Sequence, residues 1–147
     1  MPITLNTVIN PLPAMTSTLP SGFPKKIIFS SSGIKTAALP DGKDIYLDCR
    51  VLFDPTRGKG AAATPGGKHL STQEAIKYAS HVALNAMGSL VKAGASTLAN
   101  RRGNGSSKPK DVMTVHCFCA WGVHRSVAAK YILAEAFEDW GYEVEVV

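Results

Sequence analysis

The sequence predicts a single small α/β domain with a mixed, mostly parallel sheet of about four strands flanked by helices. Three observations carry that class. Short, β-branched apolar runs, KIIFS at 26–30, DIYLDC at 44–49 and VMTVHCF at 112–118, are separated by longer stretches whose apolar residues repeat at helical spacing, the alternation that builds parallel sheets with crossover helices. The chain has 147 residues, 45% of them hydrophobic, which is the size of one domain with one core. Its three cysteines are an odd number in a chain that needs no staples, so they read as reduced thiols and place the protein in the cytoplasm.

Residues 1–24 carry no charged side chain and five prolines, and proline removes ladder and helix donors, so this segment reads as an extended arm. Its apolar residues Ile3, Leu5, Val8, Ile9 and Leu12 suit packing on the body or on another subunit, and equally a loose tail. The first strand follows from Lys26 and gives way to a polar loop, Ser30, Ser31, Ser32 and Gly33. After the turn signal Pro40-Asp41-Gly42 comes the second strand, which delivers Asp48 and Arg50 to its C-terminal end. Residues 54–70, rich in Gly, Pro and basic residues, read as a long loop of the kind that is often functional.

Ser71 followed by Glu74 forms a capping box, and the apolar spacing from Ile76 to Val91 predicts one amphipathic helix up to Gly94. A basic stretch, Asn100 to Lys110, leads to the third strand. Arg125 to Trp140 reads as a second helix with Gly141 as its C-cap, and YEVEVV closes the chain as a strand.

Composition narrows the function classes. Charged residues make up 18% of the chain, with 13 Gly and 9 Pro, which excludes wholesale disorder and a low-complexity chain. No apolar run reaches a membrane span and no export signal opens the sequence, so no membrane partner is expected. The net charge of +5 favours phosphorylated metabolites, nucleotides or RNA, although such an excess also serves solubility alone.

One motif carries chemistry. Between the third strand and the following helix lies CAWGVHRSV, residues 119–127, a C-x5-R-[S/T] loop. A strand turning sharply into a helix directs backbone N–H groups into one concavity, the helix dipole adds positive charge, and Arg125 supplies a planar fork for a phosphate or sulfate. Gly122 permits the turn, Ser126 can cap the helix or bond the Cys119 sulfur, and a cysteine at a helix N-terminus beside Arg has a lowered pKa. Two readings follow: a phosphatase with Cys119 as nucleophile, Arg125 holding the phosphoryl oxygens and Asp54 or Asp48 as general acid, or an anion cradle without turnover.

The wider pattern resembles the C-terminal domain of the RapZ family of RNase adapter and nucleotide-binding proteins. That family carries an S-x-G-x-K loop, matched by Ser31, Gly33 and Lys35. It also has P-x3-D-x3-D-x-R, matched by Pro40, Asp44, Asp48 and Arg50, and C-x-G-G-x-H-R-S-V, matched by Cys119, Gly122, His124, Arg125, Ser126 and Val127. The order and spacing agree over residues 26–135, and Trp121 stands where the family has its first loop glycine. No Walker motif and no basic tail after the last strand occur in the sequence, so the family's nucleotide and RNA roles are not expected in full. The resemblance implies a domain that binds a phosphorylated amino sugar and, in full-length members, presents RNA to an endonuclease. It favours the binder over the phosphatase.

Remaining constellations are read more plainly. Cys49 and Cys117 are expected to be inert buried thiols, and His116, Cys117, Cys119 and His124 lack a second ligand pair, so neither metal nor cofactor is expected. Asp48 with Arg50 reads as part of the site or as a structural ion pair, Lys35 as a ligand contact or a solvated lysine, and His124 as a ligand contact or a loop support. Trp121 suits a stack on a sugar or base as well as core closure. Arg101, Arg102, Lys108 and Lys110 have no aromatic interleaving, so RNA binding is expected to be weak. The expected partner is a phosphorylated metabolite or other oxyanion, and the oligomeric state is left open.

Overall fold

The computed structural model describes residues 23–103 and 111–147. The arm up to residue 22 and the basic side chains at 101–110 lie outside the described residues. The elements run β1 (Lys26–Gly33), β2 (Ile45–Asp48), α1 (Leu70–Ala79), α2 (His81–Gly103), β3 (Val112–Cys119), α3 (Arg125–Asp139) and β4 (Glu143–Val146). The class is the α/β domain expected, with a four-stranded sheet in the order β2-β3-β1-β4. Every strand pair is parallel rather than mixed, because each strand returns through a crossover to the same end. The C-termini of β1, β2 and β3 therefore share one edge, where ligands of open α/β sheets bind.

Alternation along the strands splits the sheet into two faces. Ile27, Phe29, Met113, Val115 and Cys117 are fully buried on one face. Phe137 of α3 meets Phe29 there, with ring centroids 6.0 Å apart, and continues edge-on to Trp140 at 4.8 Å and Tyr142 at 5.4 Å. Burial in this cluster pushes the Tyr142 hydroxyl pKa up to about 12. Gly94 of α2 packs on Ile45 and Met113 of the same face, and α1 packs against α3. On the opposite face Ser30 and Ser32 clasp the His116 ring, each hydroxyl 2.7 Å from one ring nitrogen.

That clasp explains why β1 continues through the serines, where a loop was expected: Ser30 to Gly33 pair in register with His116 to Cys119, and the hydroxyls have partners within the sheet. The second strand ends at Asp48, whose carboxylate accepts from Arg50 N at 3.0 Å and starts a 3-10 turn at Cys49–Val51. The single helix expected from Ser71 to Gly94 is two helices. Ser80 leaves the helical conformation, its hydroxyl accepts from Phe53 N at 2.7 Å, and its carbonyl accepts from Leu84 N to open α2. A serine that bonds a distant backbone group interrupts a helix whose apolar spacing runs straight through it. The capping box does not form either. Helix α1 begins at Leu70 after His69, Gln73 reaches back to the Gly67 and Lys68 carbonyls, and Glu74 pairs with Lys77 at 2.9 Å. Helix α3 ends at Asp139, with Gly141 at φ +99° just beyond the Trp140 cap, the left-handed position that glycine fills without a Cβ clash.

Candidate anion-binding site

Strand β3 leaves the sheet at Cys119 and re-enters regular structure at Arg125, the first residue of a 15-residue helix. The reversal needs Gly122, which sits at φ +76°, a region that residues with a Cβ populate at a cost. It also needs Gly33. A Cβ at Gly33 would meet the Trp121 carbonyl group and Gly122 N, and one at Gly122 would meet Gly33 N and the Ser32 carbonyl carbon. The end of β1 and the loop thus touch backbone to backbone, sealed by Ile34 N to Cys119 O and Lys35 N to Ala120 O, both 2.9 Å.

Behind the turn runs a buried polar chain. Gly122 N donates to the Cys119 sulfur at 3.2 Å, the Cys119 thiol donates to Ser126 Oγ at 3.1 Å, and the Ser126 hydroxyl donates to Ser32 O at 3.4 Å. Ser126 is wholly buried and Cys119 nearly so, so Ser126 supports the loop from inside.

A cavity of about 580 Å³ opens in front of the loop, and Lys35, Asp54, Cys119, His124 and Arg125 line it together with Trp121. The Arg125 guanidinium donates to Arg50 O at 2.9 Å, which anchors the fork at the edge of the 3-10 turn, and Arg125 lines the cavity. Asp54 accepts from Thr56 N at 3.0 Å and Thr56 Oγ1 at 2.6 Å. The Thr56 hydroxyl chiefly, with a smaller contribution from Arg125, holds its carboxyl below the usual carboxylate range.

Other expected site residues stand apart. Asp48 and Arg50 form a bidentate pair at 2.9 and 2.7 Å, and that bond to Arg50 lowers the Asp48 pKa. Arg50 borders a second groove, lined also by Asp54, Arg57 and Arg125, and neither Asp48 nor Arg50 lines the main cavity. Ser31 lies within β1 opposite Cys117 and does not line the cavity. His116, grouped with Cys117, Cys119 and His124 by sequence, is clasped by serines on the other face. Among the described residues no group of three or more His, Cys, Asp or Glu side chains is placed to hold a metal ion, and no helix is long and apolar enough to cross a membrane. Cys49 is fully buried, and its hydrogen bond with Cys117 together with burial raises its pKa well above the ordinary thiol value, the environment of an inert thiol.

Spacing did not reveal the roof. Residues 54–70 fold over the loop so that Thr56, Ala61 and Ala62 line the cavity. His124 Nε2 donates to Thr64 O at 3.1 Å and Gly67 N donates to Val123 O at 2.9 Å. His124 therefore supports the roof, one of the two roles open to it. The glycine and proline content of 54–70 was the signal for a functional loop, but it did not say which strand end the loop would cover.

Residues 25–147 match the family model described as the RapZ C-terminal domain. No curated protein matches the chain.

Proposed function

The chain belongs to the RapZ C-terminal domain family through residues 25–147, and from that premise we propose that it binds a phosphorylated small molecule, a phosphosugar or a nucleotide phosphate, at the loop from Cys119 to Ser126 without turning it over. The observation that carries this reading is the Arg125 guanidinium, anchored through Arg50 O at the N-terminus of α3 and lining the cavity. A planar fork beside a helix N-terminus offers an oxyanion both charge and directed donors. The Lys35 side chain lines the same cavity and adds a second positive charge.

The same residues argue against a phosphatase. The Cys119 sulfur is nearly buried and held in hydrogen bonds with Ser126 Oγ and Gly122 N, whereas a nucleophilic cysteine is partly exposed. Asp54 would have to hold a proton to protonate a leaving group, yet Thr56 stabilises its ionised form. A ligand-occupied cavity at a sheet edge also suits a regulatory domain in an RNA-adapter context, in which the metabolite sets the shape that a partner reads.

Calorimetric titration of inorganic phosphate and phosphosugars against wild type, Arg125→Ala and Arg125→Lys tests the cradle. Charge-assisted hydrogen bonds are worth about 1.5 to 3 kcal/mol, so Arg125→Ala should lose roughly tenfold to a hundredfold in affinity. Arg125→Lys should lose nearly as much, because an ammonium cannot reproduce the fork. Wild-type affinity in a folded Arg125→Ala protein overturns the reading.

A further inference from the structure

Trp121 lies inside the cradle loop and is 61% exposed, and Val123 beside it is 50% exposed. Both line the cavity, along with Ala61, Ala62 and Ala120. A large indole left open to water at a cavity mouth gains nothing for the core, and aromatic surface in such a place marks a contact for something else. The Lys35 ammonium sits 5.0 Å from the centre of the Trp121 ring, which holds the indole by a cation–π contact on one side. Of the other polar groups, Asp54 Oδ1 accepts twice from Thr56 and His124 donates to the roof, and the rest of the wall around the indole is Ala61, Ala62, Ala120 and Val123. A sugar ring buried here would bring several hydroxyls to a wall of alanines and valine, and hydroxyls buried without partners are costly. A nucleoside monophosphate brings a flat base and only the two hydroxyls of its ribose.

We propose that Trp121 is a stacking platform, and that the ligand of the cradle is a nucleoside monophosphate whose phosphate meets Arg125 while its base lies on the indole. The proposal rests on the cradle reading above and selects the ligand class within it. The cavity volume of about 580 Å³ falls in the range that encloses ligands much larger than a phosphate ion. Base–aromatic stacking adds affinity that inorganic phosphate cannot collect.

The test titrates adenosine 5′-monophosphate, glucose 6-phosphate and inorganic phosphate against the full chain by calorimetry, with tryptophan emission followed in parallel. Adenosine monophosphate should bind about tenfold or more tighter than inorganic phosphate, as expected for one stacked base, and tighter than glucose 6-phosphate. Trp121→Ala should bring the ratio of nucleotide to phosphate affinity close to one, and Trp121→Phe should keep most of it. Emission should be quenched by the nucleotide in wild type and not in Trp121→Ala, since the remaining indole, Trp140, is 5% exposed within the core. A nucleotide that binds no tighter than phosphate, a preference for glucose 6-phosphate, or a ratio that survives Trp121→Ala overturns the platform alone. Failure of all three probes to bind wild type, or equal binding of all three by wild type and Arg125→Ala, overturns the cradle and the platform with it.

Discussion

His116 and His124 stand on the same short stretch and are committed in different ways. His124 ties the roof to the loop, while His116 is held between two serine hydroxyls within the sheet. Burial lowers the pKa of His116 from its ordinary value of 6.5, so the neutral ring is the folded form. A histidine that is harder to protonate when folded contributes stability above its unfolded pKa and loses it as the pH falls toward the folded value. The melting temperature should therefore drop as the pH is lowered from about 7 to about 5, and His116→Gln should flatten that slope. Thermal denaturation across that range checks it, and an unchanged slope in a folded variant would remove His116 from the account.

At the scale of elements, the contact between the roof and α3 turns on two adjacent glycines that differ sharply. A Cβ at Gly67 would run into Ala128 N and the His124 carbonyl, whereas one at Gly66 would rest at 3.5 Å from Val123 O, an ordinary contact. Gly67→Ala should cost about 1–3 kcal/mol of stability, as overpacking against rigid backbone does, and should weaken phosphate binding by displacing the roof. Gly66→Ala should stay within about 0.5 kcal/mol of wild type. Urea denaturation of the pair decides it, and equal effects would mean that the roof moves freely over the helix. Ser80 acts at the same scale, since its bond to Phe53 N turns one amphipathic stretch into two helices and pins the chain just before the roof.

Across the whole molecule, the parallel sheet sends the ends of β1, β2 and β3 to one edge, so Lys35, Arg50 and Arg125 gather there although they are far apart in sequence. With a net charge of +5, the chain should bind RNA weakly and without sequence preference, and the attraction should fade steeply between roughly 50 and 200 mM salt as condensed counterions cease to gain entropy on release. Filter binding to a homopolymer and to a structured RNA checks this. Tight, salt-resistant binding to the structured RNA would show recognition beyond charge.

What the sequence determined by itself is local. The three apolar runs became strands, the helix after Cys119 began at Arg125, and Gly122 took the turn, because apolar periodicity and turn chemistry act over a few neighbouring residues. The strand-loop-helix that carries the candidate site was legible for the same reason: its motif, its strand and its helix are contiguous. The serines of β1 were misread because their partner, His116, lies 86 residues from Ser30, and polar residues look like loop until a distant acceptor enters the sheet. The break at Ser80, the roof of 54–70 and the backbone contact of Gly33 with Gly122 were hidden likewise. Each joins segments brought together only when the strands adopt the order β2-β3-β1-β4, and that order pairs strands from distant parts of the chain across the buried face, which no short stretch of chain contains.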